Sequence, residues 1–264
     1  MPNYLSGDSP SRYFIYSIEK AFKVLEAFAA SRERLTLTEL SDRSLRNKAT
    51  VRRIALTLCD LGYLRQDESR RFSLTPKVLD LGRRFLQALS LPDLAEPHVS
   101  DLAQATHESA NVAIRDGAEA LYVVRVAAAQ RILQINLHVG SRLPLHATSL
   151  GKALLIGASR QELLDILGEP PWPRYTDTTR TDPDRLLADL AEARQLGCAL
   201  ADGELEVGLR SIAAPVRDAS GAIVAAVNIS THSLQVPLDR LLGPMRQHLI
   251  ETAAAVSQAL GYNA

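Results

Sequence analysis

The sequence predicts an α+β protein in two parts: a small helical head bearing a two-stranded hairpin, and a larger body built around a central antiparallel sheet. Three observations carry that expectation. Residues 36–74 run in the order short helix, turn, basic helix, charged hairpin. Residues 111–231 mix strand-like segments with helices. Charge is also divided between the parts. The 264 residues hold 30 Lys plus Arg and 30 Asp plus Glu, a formal net charge of zero. Residues 1–90, however, carry 16 basic against 10 acidic side chains, and residues 91–264 carry 14 against 20. A basic head on an acidic body suits a chain whose head alone meets a polyanion.

In the head, Ser17 to Ala30 reads as a first helix, with Ile18, Ala21, Phe22, Leu25 and Phe28 on one stripe and Ser17 as its cap. Thr36 and Glu39 have the spacing of a capping box, in which hydroxyl and carboxylate satisfy open amides at a helix start. The helix that follows is Leu37 to Ser44. After a turn at Leu45 to Asn47, apolar side chains recur at Val51, Ile54, Ala55, Leu58 and Leu61, the spacing of one buried helical face. Asn47, Lys48, Thr50, Arg52, Arg53 and Thr57 fall at the helix start and on the opposite face, a set suited to phosphate oxygens and base edges in a major groove. A basic amphipathic helix alone is as often a solvated surface. The hairpin decides the matter. Gly62 ends the helix, Tyr63–Arg65 and Phe72–Leu74 read as strands, and Asp67–Arg70 forms the tip. Arg70 and Arg71 then sit where a wing meets the sugar-phosphate backbone. The expected module is a winged helix-turn-helix, and its expected partner is double-stranded DNA.

Pro76 to about Leu89 reads as a linker helix whose wide apolar band (Val78, Leu79, Leu81, Phe85, Leu86, Leu89) calls for a partner. A symmetry mate is the expected one, giving a homodimer or a dimer of dimers that sets two recognition helices on one operator. The domain layout is thus a tail at 1–14, the DNA-binding domain at 15–75, the linker helix at 76–91 and the body at 92–264. In the body an amphipathic helix runs to about His107, with Pro97 near its start. Asn111–Arg115, Ala120–Ala127 and Arg131–Val139 follow as strands. Helices are expected at Leu150–Ala158, Arg160–Leu167 and Pro183–Leu196. The strands Arg210–Arg217 and Ala222–Thr231 are joined through a turn ending at Gly221. A last helix spans Pro237 to Leu260 with an interruption at Pro244. Asp202, Glu204 and Glu206 read as residues of a turn.

Other functional classes find little support. Gly151-Lys152 is not a phosphate-binding loop, since His146 stands where the first glycine belongs and Ala153 replaces the magnesium-binding hydroxyl residue. His107-Glu108 lacks a second histidine, because Val112 occupies its place. No metal and no cofactor are expected. Cys59 and Cys198 read as reduced thiols of a cytoplasmic protein, and no apolar run has the length of a membrane span. No nucleophile, base and orienting group stand at recognisable spacing, so enzymatic activity is not expected. A metabolite enzyme tethered to DNA, or a constitutive DNA binder with a degenerate sensor, are the alternatives.

Four stretches together resemble the IclR-type transcriptional regulators. They are the recognition stretch with its wing and the run from Arg71 to Gly82; Gly140–Pro144 leading into Ala147–Ala153; Asp202–Glu206 continuing into Gly208–Val216; and Ala225–Ser230. Within that family, Tyr13-Phe14, Asn47–Arg53 and Glu204–Ser211 look most like regulators of protocatechuate and 4-hydroxybenzoate catabolism. The resemblance implies a winged helix-turn-helix followed by a GAF-like effector domain that binds a small organic acid, aromatic or a ring-cleavage product. By matching positions the pocket falls on Ser149 and Leu150, on Leu209 and Ser211, and on Asn228 and Ser230. Ile135 joins Leu150 and Leu209 as apolar wall, and His146 and Arg210 are candidate counter-charges, with amides opening the helix at Leu150 as further anion donors. Ala201 departs from the family pattern of Asp or Ser, so a methyl group stands where a polar side chain would meet the effector.

Overall fold

The structure, a computed structural model, describes residues 13–28, 34–80, 91–127 and 137–263. Most of the expected linker helix (81–90) and the strand residues 131–136, Ile135 among them, lie outside the described residues. Two compact units divide between Ala88 and Leu89, and each is described by itself.

The first unit holds α1 (Tyr16–Glu26), α2 (Leu37–Ser44), α3 (Lys48–Asp60), and the antiparallel strands β1 (Leu64–Gln66) and β2 (Phe72–Leu74). Both halves of the capping box form: Glu39 N donates to Thr36 Oγ1 at 3.3 Å, and Thr36 N donates to Glu39 Oε2 at 2.6 Å. Leu45 takes a left-handed φ of 53°, and Arg46 N reaches back to Ser41 O, so α2 stops sharply and the chain turns into α3. Val51, Ala55 and Leu58 bury one face of α3 against Val24, Leu40, Leu64 and Phe72. Leu35 bridges to Phe72 beside the hairpin, a contact too short to show a strand pattern. α1 differs from expectation. Its N-cap is Ile15, with no side-chain bond, and Ser17 lies inside the helix. The helix has two apolar lines, of which Val24, Ala27 and Phe28 are buried while Ile18 and Phe22 are 52% and 54% exposed. Both lines satisfy helical spacing, and only packing tells them apart.

The second unit opens with α4 (Leu91–Thr106), which continues through Pro97. Among the described residues its antiparallel sheet comprises six strands, β3 (Ser109–Asp116), β4 (Glu119–Val126), β5 (Arg142–Pro144), β6 (Ala199–Asp202), β7 (Leu209–Arg217) and β8 (Ile223–His232), in the order β5-β4-β3-β8-β7-β6. The edge strands β5 and β6 escaped sequence reading because three or four residues hold too little alternation. β6 includes Asp202, which is therefore strand and not turn. Between the strands come α5 (Ser149–Leu154), α6 (Arg160–Leu167) and α7 (Pro183–Leu196), α5 ending four residues earlier than expected. Leu238–Arg240, a π-turn at Leu241–Met245 and α8 (Arg246–Ala259) close the unit. Gly243 leaves helical geometry next to Pro244, which has no amide to donate.

Directly paired residues share a face of an antiparallel sheet. Register therefore places Ala199, Ala201, Ser211, Ala213, Asn228, Ser230, Asn111 and Ala113 on one side. α5 lies on that side, Leu150 and Ala153 buried among Ala113, Ala199, Ala213 and Ala226. The alanines let a short helix approach closely. Gly151 completes the fit, since a Cβ there would stand 2.2 Å from the Leu145 Cα and carbonyl oxygen, inside backbone that cannot yield. Gly151→Ala should cost about 1–3 kcal/mol or more through overpacking. Thermal and urea unfolding measure this, and an unchanged midpoint would mean that α5 has room to move.

Candidate operator and effector sites

The recognition helix is built for an external partner. Asn47 caps α3, its Oδ1 accepting from Thr50 N at 2.9 Å, so only its amide NH2 can reach outward. Lys48, Arg52, Arg53 and Thr57 are exposed. Thr57 donates its hydroxyl to Arg53 O. Arg52 and Arg53 make no ion pair among the described residues, so both cations are available at the surface. The wing is fastened to the far end of α3. Thr75 Oγ1 donates to Gly62 O at 2.5 Å, and Lys77 Nζ donates to Leu61 O at 2.8 Å while standing 4.9 Å over the Tyr63 ring. At the tip, Arg70 holds a left-handed φ of 58° and is exposed. Arg71 is partly committed, donating to Arg34 O, and Arg34 pairs with Asp67. Arg46 and Glu19 pair at 2.8 Å, tying the turn to α1. The expected DNA-facing residues thus lie along α3 and the hairpin tip of one unit.

In the second unit Leu209, Ser211, Asn228 and Ser230, four of the expected pocket residues, share one sheet face. Ser211 faces Ser230 across β7 and β8, and Ala201 lies beside Ser211 with only a methyl group. Ser149 and Leu150 are fully buried at the start of α5. The Ser149 hydroxyl has no hydrogen-bond partner among the described residues. Burying a hydroxyl unsatisfied costs about 1–3 kcal/mol, and a ligand atom would remove that cost. A hydrogen-bonded row crosses the face: Arg125 Nη1 donates to Asn111 Oδ1 at 3.0 Å, Asn111 Nδ2 to Asn228 Oδ1 at 2.8 Å, and Asn228 Nδ2 to Ser230 Oγ at 2.9 Å. Asn111 and Arg125 were not anticipated. No motif marks them, and only strand register brings them opposite Asn228.

Three expectations need correction. Arg210 alternates to the other face, where it forks onto Asp202 at 2.8 and 3.0 Å and donates to Val236 O. It is no counter-charge for the pocket. His146 is buried, stacked on Tyr175, with Nε2 2.9 Å from Pro173 O. Burial pushes its pKa down and the Lys152 charge adds to this, against the raising effect of the Pro173 carbonyl. A neutral imidazole supplies no charge. Finally, α5 has six residues and Thr148 already accepts from Gly151 N at 3.1 Å, so the helix start offers little to an anion. Leu209 does lie on the Ser211 face, two residues along β7.

Lys152 is the least expected element. Only 1% exposed, its ammonium donates to Asp189 at 2.6 Å, Glu204 at 2.5 Å and Leu200 O at 3.2 Å, which uses all three protons. Arg180 joins through Asp189 at 2.9 Å. Burial raises the Glu204 pKa, opposed by the Lys152 charge and hydrogen bond. This cluster pins α5 to α7, β6 and the loop after it. Among the described residues no group of His, Cys, Asp and Glu could hold a metal ion, and no helix is long and apolar enough to cross a membrane. Burial raises both thiols, that of Cys198 to about 11, so they stay protonated.

Exposed arginines on a recognition helix beside a fastened wing make the first unit a DNA reader, and the class is that of a DNA-binding transcriptional regulator. The chain belongs to the IclR family: residues 17–68 match the IclR helix-turn-helix domain, and residues 83–258 match the family described as bacterial transcriptional regulator IclR C-terminal. The Pca regulon regulatory protein of Pseudomonas putida is 39% identical over 219 residues, 83% of this chain and 75% of that protein. A transcriptional regulator from Rhodococcus sp. RHA1 superposes with a TM-score of 0.81 at 40% identity, covering 94% of this chain and 98% of that one. An IclR homologue from Microbacterium hydrocarbonoxydans, crystallised with 4-hydroxybenzoate, gives 0.80 at 27% identity over 92% and 98%.

Lys152→Met should destabilise the second unit by about 3–5 kcal/mol, because Glu204 and Asp189 lose their buried counter-ion. Chemical denaturation at neutral pH tests this. A loss below about 1 kcal/mol would assign the cluster a solvated role.

Proposed function

We propose that this regulator controls aromatic-acid catabolism genes as a homodimer or dimer of dimers in the cytoplasm, binding its acid and releasing it unchanged. Its working parts would be a DNA-binding domain at 15–75, a linker helix at 76–91 and an effector domain at 92–264. The observation that carries the effector reading is the unsatisfied Ser149 hydroxyl, buried in the same unit as a sheet face on which Asn111, Asn228 and Ser230 form a hydrogen-bonded row. Leu150 and Leu209 supply apolar wall for a ring. The names of the relatives support the substrate class: one governs a Pca regulon, and another was crystallised with 4-hydroxybenzoate. Dimerisation is supported by the uncovered apolar line of α1, where Tyr16, Ile18 and Phe22 are each more than half exposed. DNA contact is assigned to Asn47, Lys48, Thr50, Arg52, Arg53, Thr57, Arg70 and Arg71. The acid would act by binding one arrangement of the dimer more tightly than another.

Two sets of variants test the division of labour. Arg52→Ala and Arg53→Ala should weaken operator binding and lower its salt slope by about 0.9 for each phosphate no longer neutralised, while ligand-induced thermal stabilisation persists. Ser211→Val should remove the thermal shift produced by 4-hydroxybenzoate or 3,4-dihydroxybenzoate and leave operator affinity intact. Unchanged operator affinity in the arginine variants would reject the helix face. An undiminished shift in the serine variant would place the effector elsewhere.

A further inference from the structure

β6 covers only part of β7. Their pairing ends at Ala199 and Ala213, and beyond it residues 214–217 of β7 pair with β8 alone among the described residues. A groove of about 470 Å³ opens there beside α8, with Ala214, Pro215, Ile250 and Ala253 as apolar lining and Arg217, Gln258 and Tyr262 as polar lining. We propose that this groove is a second small-molecule site, that its ligand is a small carboxylic acid with an apolar body, and that Arg217 holds the carboxylate. Arg217 lies six residues along β7 from Ser211, about 20 Å of extended strand, so the groove and the effector face are different places on the unit.

The side chain of Arg217 is fixed on one side and open on the other. Its backbone N donates to Ser257 Oγ at 3.0 Å, and Ser257 gives its own proton to Ala253 O at 2.7 Å, which ties the root of the side chain to α8. Nη1 donates to Gly221 O at 2.8 Å, in the turn before β8. What remains is the edge carrying Nε and Nη2, whose parallel N–H groups match the two oxygens of a carboxylate. Two other arginines of this unit show how that edge is used. Arg210 forks it onto Asp202 at 3.0 and 2.8 Å, and Arg180 turns it to Asp189 at 2.9 and 3.4 Å. On Arg217 the same edge has no hydrogen-bond partner among the described residues, and the guanidinium is half-buried, where its charge is screened less than on open surface. The apolar lining supplies the rest. A few polar groups in an apolar cleft of about 300–1,000 Å³ is the usual make-up of a small-molecule site, and a single ring or a short aliphatic chain fits this one.

Benzoate and uncharged benzamide, which share a ring, are the probes, titrated calorimetrically into full-length protein carrying Ser211→Val. This protein should prefer the acid by at least about tenfold, the worth of a charge-assisted hydrogen bond. Adding Arg217→Gln should bring that preference to about one, and Arg217→Lys should keep part of it. A preference near one before the arginine is changed, or a full preference after Arg217→Gln, overturns the proposal. Hydrogen exchange of the wild type locates the acid without any variant: benzoate should add protection at residues 253–258 and at Val216 and Arg217. If added protection is confined to α5 and the start of β7, the effector face alone takes the acid and the second site falls. If it is confined to the groove, the second site stands and the effector face is not where this acid binds. A change of oligomeric mass in Arg217→Gln with benzoate affinity unaltered would make the groove a contact between copies of the chain and would likewise overturn the assignment.

Discussion

A buried lysine holds the sensing unit in its functional shape. Lys152 projects from a helix too short to be stable alone, and its three bonds join that helix to α7, β6 and the following loop. Replacing such a cluster by apolar side chains often costs nothing, so the ions are not there for stability alone. They fix direction. With Lys152 anchored and Gly151 pressed against Leu145, α5 has one seat on the alanine face, and Ser149 at its start is buried with its hydroxyl unsatisfied among the described residues.

The DNA-reading unit uses the opposite principle. Its core of Val24, Leu40, Val51, Ala55, Leu58, Leu64 and Phe72 is apolar, and its cations Arg52 and Arg53 are kept outside on a helix capped by Asn47 and tied at its far end by Lys77. Charge is internal and neutralised around α5 but external and solvated on α3. The overall charge of zero is the sum of a basic head, 16 basic against 10 acidic side chains, and an acidic body, 14 against 20, so it does not oppose binding of a polyanion by the head.

The head was legible because its devices are local. Thr36 with Glu39, Leu45 to Asn47, and Gly62 act within a few residues, and each took the expected place. Where two apolar lines competed on α1, spacing could not choose between them. In the body, β7 and β8 were readable from composition and from Gly221, and pairing them placed Ser211, Asn228 and Ser230 together as anticipated. Arg210 has the charge of a pocket residue but not the strand parity: it sits one residue from Ser211 and so points to the other face, onto Asp202. Lys152 reads as part of an incomplete phosphate loop and Glu204 as a turn residue, because their partnership spans 52 residues and no local pattern encodes it. Asn111 and Arg125 belong to the same class, visible only once β3 and β4 are paired.

If α5 and the sheet face form the effector site, bound ligand must slow the opening of that helix more than that of the recognition helix. Amide hydrogen exchange of the full-length protein, with and without saturating 3,4-dihydroxybenzoate or 4-hydroxybenzoate, measures this directly. The account predicts added protection at Ser149–Leu154 and at the start of β7. Protection confined to other segments, with α5 unchanged by an acid that binds, would contradict it.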